Sequence, residues 1–194
     1  MKKIFLLYFL LLSSLTFGQK NTVKEVASDS ITELNFPKEI SLKRKFRKQI
    51  EEKKRGFYRI YNYDTITPKN HSVEFLVDKI ENDKEYSFVF DAEYLLAFNY
   101  TDMIPKLIEL IINNKEVGLI NTSDLIIWER IQSGDLKSYG HGGIVQDDLF
   151  KVSGRANHLL KEITGEDFGI IRMNTKQTEL KEIQDKWIKW LKKL

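Results

Sequence analysis

The 194-residue chain has no cysteine, 31 Lys and Arg against 28 Asp and Glu, and a net charge of +3. The missing cysteines exclude disulfides, thiolate catalysis and cysteine-ligated metals. So small a net charge gives no electrostatic argument for a nucleic-acid partner, and Lys2 and Lys3 carry two of the charges, leaving +1 beyond them.

Residues 1–18, MKKIFLLYFLLLSSLTFG, have the layout of an export signal: Lys2 and Lys3, an apolar run from Ile4 to Leu12, then small residues. The run is shorter than the roughly 20 residues a membrane-spanning helix needs. Cleavage between Gly18 and Gln19 is expected, with release to the periplasm or the exterior and no transmembrane segment afterwards. About 176 residues remain, enough for one domain with an ordinary core.

Residues 19–36 are polar without a firm period and read as a linker or flexible arm. Pro37 stands where a helix can begin. Residues 38–55 are good helix formers with a thin apolar stripe of Ile40, Leu42, Phe46 and Ile50, ending at Gly56. Their many Lys and Arg read as a solvated face, or as a contact for an acidic partner or anionic lipid. Residues 57–69 hold Phe57, Tyr58, Tyr61 and Tyr63 and read as an extended segment, which makes 37–69 an N-terminal region ahead of the main domain.

From residue 70 the pattern turns helical. Val73, Leu76, Val77 and Ile80 recur 31 positions later as Ile104, Leu107, Ile108 and Ile111. Residues 91–98 and 122–129 match at the same offset, with Ala92 or Ser123 three before an aliphatic pair. A further copy lies at 154–163, where Ala156 precedes Leu159 and Leu160. An apolar stripe recurring at this period reads as stacked helix pairs, each burying the face its neighbour exposes. Pro105 is placed in the first turn of its helix. Asp83, Thr101, Ser123 and Asp147 are candidate N-caps.

The stretch NHLLKEITGEDFG, with Thr164, Gly165, Phe168 and Gly169, precedes a helix bearing Trp187 and Trp190. On these residues and the repeats, positions 70–194 resemble HEAT-like or armadillo-like proteins of the small exported Bacteroidetes kind. The resemblance implies a mainly α fold: a short right-handed α-solenoid of HEAT-like helix pairs, with an extended N-terminal arm ahead of it. The last helix, striped by Leu180, Ile183, Trp187, Trp190, Leu191 and Leu194, would cap the stack. Such scaffolds usually bind other proteins, although one fold serves many functions.

By this rhythm a helix should occupy roughly 135–148. DLKSYGHGGIVQDD stands there instead, and Gly140, Gly142 and Gly143 each cost a helix about 1 kcal/mol relative to alanine. A glycine loop replacing a helix on one rim is where function is expected. The candidate binding residues are Tyr139, His141, Asp147, Asp148, Arg155 and His158. No catalytic or metal motif is complete and no cofactor is called for. The leading expectation is a protein-binding or scaffold module with a protein partner, as a monomer or an oligomer of unknown order. The alternatives are a metal-assisted hydrolase using His141, Asp148 and His158, and a periplasmic inhibitor or immunity protein.

Overall fold

A computed structural model describes residues 34–36, 44–60, 72–85, 92, 94–120, 125–137 and 143–194. The expected export signal, nearly all of the arm and most of the Tyr-rich segment lie outside the described residues. Residues 34–194 form one compact unit that is mainly helical.

Helix α1, Arg44–Ile60, buries Phe46, Ile50 and Phe57 along one face. It continues past Gly56, where an end was expected. Gly56 serves close approach instead: a Cβ there would fall 2.6 Å from the Tyr94 ring. The stripe joins the same core as the later helices, with Phe46 edge-on to Trp190 and Phe57 edge-on to Phe98. Two of its lysines are engaged internally, Lys45 with the Gly165 carbonyl at 2.6 Å and Lys53 with Glu162 at 2.8 Å.

Helix α2, Val73–Asn82, and helix α3, Tyr100–Leu110, carry the two matched stripes. Leu76 and Ile80 are buried in α2, and Ile104, Leu107 and Ile108 in α3, with Ile111 buried just beyond it. Ser72 caps α2 by accepting the Phe75 N–H at 3.2 Å. The cap assignments for Asp83 and Thr101 do not hold: Asp83 stands at the far end of α2, and the N-cap of α3 is Asn99. Because α3 begins at Tyr100, Pro105 falls in its second turn, and its missing N–H leaves the exposed Thr101 without a helical partner for its carbonyl.

The match at 122–129 is not one helix over its described part, 125–129. Leu125–Ile127 run extended into a short helix α4, Trp128–Gln132, and Ile126 bridges in parallel to Ile144. Leu125 and Ile127 point into a second small core with Leu119, Leu136, Leu149 and Phe150. A short apolar run fits a helix or a strand equally well by pattern, and the β-branched pair Ile126–Ile127 favours the strand.

Helix α5, Val152–Thr164, packs against α1, α2 and α3 and is buried on nearly every side. Gly154 and Ala156 permit that. A Cβ on Gly154 would drive into the backbone carbonyl of Asp148. Gly165 ends α5 at φ 71°, the left-handed close expected of it. Helix α6, Gln177–Leu191, buries the expected stripe against the rest of the core, and Gln184 reaches the Ile108 carbonyl at 2.9 Å.

Candidate functional site

No described residue between 135 and 150 is helical, and 138–142 lie outside the described residues. Tyr139 and His141 lie outside the described residues. Of the other four expected binding residues, Asp147, Asp148 and Arg155 are buried and His158 is half-buried, and the partners of the buried three explain why they are there.

Asp148 follows the extended stem of the loop and is 1% exposed. Arg130 of α4 meets it with both ends of the guanidinium, Nε to Oδ1 at 2.9 Å and Nη2 to Oδ2 at 2.7 Å. Arg130 also reaches Glu116 and Asp135 at the surface, and its guanidinium carbon lies 4.5 Å from the centre of the Phe150 ring. Burial works against the charged guanidinium. The hydrogen bonds to Asp148, Glu116 and Asp135 outweigh that and hold its pKa above the ordinary value.

Asp147 was expected to cap a helix, yet α5 begins at Lys151 as its N-cap. Asp147 instead accepts the Ile171 N–H and the Asn157 side-chain amide, both at 2.8 Å, and pairs with Lys161 at 3.0 Å. Asn157 in turn donates to the Gly169 carbonyl and accepts the Trp187 indole N–H at 2.9 Å. Phe168 stands edge-on to Trp187, 4.6 Å between ring centres. Asn157, Phe168, Gly169 and Trp187, among the residues that carried the resemblance, are therefore parts of one internal polar and aromatic joint.

Arg155 donates to four backbone carbonyls: Leu149, Ile80, Asp83 and Gly118, at 2.6 to 2.9 Å. Desolvation lowers its pKa to about 10. His158 is half-buried on α5, and desolvation pushes its imidazole below the usual value against the opposing pull of Glu162 and Asp147.

This arrangement has a chemical consequence. Both oxygens of Asp148 accept from Arg130, and both oxygens of Asp147 face internal donors, so the two carboxylates serve as internal ties between elements. No group of three metal-ligating side chains occurs among the described residues.

No family model, curated protein or solved structure matches this chain.

Among the described residues, the apolar surface near the loop lies at its stem. Ile126 pairs with Ile144 through Ile126 N–H to the Gly143 carbonyl and Val145 N–H to the Ile126 carbonyl. Residues bridged in this way share a face, and alternation across the extended Ile127 (φ −112°, ψ 101°) brings Trp128 to it as well. Trp128 is 54% exposed and Ile144 is 63% exposed. The face is held firmly. Next to Trp128, Glu129 accepts the Met173 N–H at 2.8 Å and pairs with Arg172 at 3.0 Å. Burial alone would raise the Glu129 pKa, but these partners outweigh it and lower it.

Sequence reasoning passed over Trp128, Ile144 and Arg130. The available signal was the alternation in LIIW, with Leu125 and Ile127 inward and Ile126 and Trp128 outward. Helical spacing at the 31-residue offset concealed it.

Proposed function

We propose that this protein is an exported, protein-binding helical module whose docking face is formed by Ile126, Trp128 and Ile144 at the stem of the glycine loop. The carrying observation is the solvent exposure of Trp128 and Ile144, the tryptophan two residues after the position that bridges the isoleucine. Large aromatic side chains anchored this way dominate binding energy at protein interfaces, and contiguous exposed apolar surface on a folded protein usually marks such a contact. The loop residues Tyr139 and His141 enter this reading as neighbours in sequence of Ile144. Asp148 enters it as the partner of Arg130 on α4, while Asp147 and Arg155 bond within the interior and His158 stands on α5.

The helical scaffold agrees with the role. The α2 and α3 stripes repeat at 31 residues, and α5 occupies the stretch matched to 91–98 and 122–129, which supports a HEAT-like layout modified where 125–127 run extended. Among the described residues no helix is long and apolar enough to cross a membrane.

The test is retention of cell-envelope proteins by immobilised wild type and by Trp128→Ser/Ile144→Ser. Both positions are exposed, so the variant should melt like wild type. A protein held by wild type and lost by the variant is expected. Identical retention by both would remove the docking face from this site.

A further inference from the structure

We propose that a second site, the cleft between α2 and α3, docks an apolar side chain of a basic helical segment from another protein. The cleft measures about 370 Å³. Its floor is Val73, Val77 and Leu110, partly buried residues at the edge of the main core. Its rim is acidic: Glu74, Asp78 and Glu81 from α2 and Glu109 from α3. Lys106 is the one cation among the lining residues, and it is taken by Glu109 at 3.1 Å.

The α2 carboxylates are hydrogen-bonded by neutral groups, and the cation next to Asp78, Lys79, is paired with Asp83 at 2.9 Å. Asp78 accepts from the Asn82 amide at 2.8 Å and Glu81 from the Asn113 amide at 2.9 Å. The pKa of Glu74 is lowered by a bond from its own backbone N–H and by the Ser72 side chain. Hydrogen bonds of this kind stabilise each negative charge without cancelling it. Elsewhere the surface of this net-positive chain mixes signs, as in Lys48–Glu52 on α1 and Lys181–Asp185 on α6. The cleft departs from that pattern, and its negative charge rings an apolar floor.

The spacing selects the occupant. Glu74, Asp78 and Glu81 lie on successive turns, a row of roughly 10 Å at 1.5 Å per residue. A helix bearing Lys or Arg one turn before and one turn after an apolar anchor presents cations at the same interval, with the anchor over the valines. Opposite charges at such a rim speed encounter and fix orientation, and the apolar contact holds the complex.

The test uses the full chain and a fluorescent helical peptide with a central leucine flanked by lysines one turn to each side. Its two controls replace the lysines by glutamates or the leucine by serine. The lysine peptide should bind, each control should bind at least tenfold more weakly, and raising salt should weaken binding. Asp78→Lys/Glu109→Lys, which alters exposed or half-exposed carboxylates, should melt like wild type and lose at least tenfold in affinity. Trp128→Ser should bind the peptide like wild type, which separates this site from the face proposed above. Binding that ignores the charge reversal, or no binding of the lysine peptide, overturns the proposal. So does equal binding of the serine control, which would reduce the cleft to an acidic surface. A concentration-dependent dimer abolished by the charge reversal would put a second copy of this chain in the cleft and equally overturn it.

Discussion

Arg130 and Asp148 form a doubly hydrogen-bonded ion pair in which the arginine side chain is 4% exposed and the aspartate side chain 1%. The Phe150 N–H adds a further bond to Asp148 Oδ1 at 3.2 Å. The pair fastens the far end of the glycine loop to α4, directly beneath the face that carries Trp128. Removing one partner strands the other charge in the interior. Arg130→Met should therefore cost about 3–5 kcal/mol. Arg130→Met/Asp148→Leu, which removes both charges, should cost clearly less than Arg130→Met alone. Urea unfolding of the two variants checks this. A loss below about 1 kcal/mol for Arg130→Met would mean that the pair does not hold the loop.

Gly154 supplies a prediction with an inverted sign. Replacing glycine by alanine inside a helix ordinarily gains about 1 kcal/mol. Here the new Cβ would meet the Asp148 carbonyl and backbone, which cannot swing aside as a side-chain tip can. The same carbonyl accepts the Lys151 N–H at 3.1 Å in the turn that leads into α5. Gly154→Ala should thus destabilise the protein by about 1–3 kcal/mol, the usual range for overpacking, as read from the urea midpoint at unchanged m-value. A stabilised variant would show that the contact between α5 and the loop stem is loose.

Arg155 should be intolerant of every substitution, lysine included. One guanidinium closes four carbonyls that belong to the end of α2, the chain beyond it, the Gly118 turn and the approach to α5. A lysine has three donors on one nitrogen and cannot span them. Arg155→Lys is expected to lose more than about 2 kcal/mol, since each stranded buried carbonyl costs on the order of 1–3 kcal/mol. Thermal melting checks it. A Tm within a degree or two of wild type would show that the four bonds are dispensable.

These residues mark the boundary of what the sequence discloses. The stripes of α2, α3 and α6 were legible because one-sided burial imposes helical spacing on apolar residues, and the Gly165 close was legible because only glycine accepts that turn cheaply. Residues 122–129 misled because four apolar positions fit two periods, and the partner strand at Ile144 lies beyond the glycine loop. Asp147, Asp148 and Arg155 were read as binding residues at a rim because charge beside a polar loop reads as surface, yet they are buried. Their burial depends on Arg130, Asn157 and four carbonyls far apart in the chain, and no local pattern announces such partners. The α2 acids were likewise visible as ordinary helix charges. The cleft they ring exists only once α3 is laid beside α2.

His158 gives the protein an expected acid sensitivity at mildly low pH. Its folded pKa lies below the ordinary 6.5, chiefly through desolvation, with Lys53 and Lys161 adding to the effect and Glu162 and Asp147 opposing it. As pH falls through about 6.5 the unfolded chain takes up a proton at this imidazole while the folded chain does not. The unfolded state then binds more protons, so stability rises with pH in this interval and is lost as pH falls from 6.5 toward the depressed folded value. The slope from this one group cannot exceed about 1.4 kcal/mol per pH unit. It levels off once the folded imidazole also protonates. His158→Gln removes the titration, so its stability should stay flat from pH 6.5 downward until the carboxylates begin to titrate. Glu129 is one of those: its pKa is held below 4.5, so the stability it contributes disappears only in stronger acid. Urea unfolding of wild type and His158→Gln at half-unit steps from pH 7.5 to pH 5 measures the difference. Curves that run parallel through that interval would show that His158 is not the group that responds.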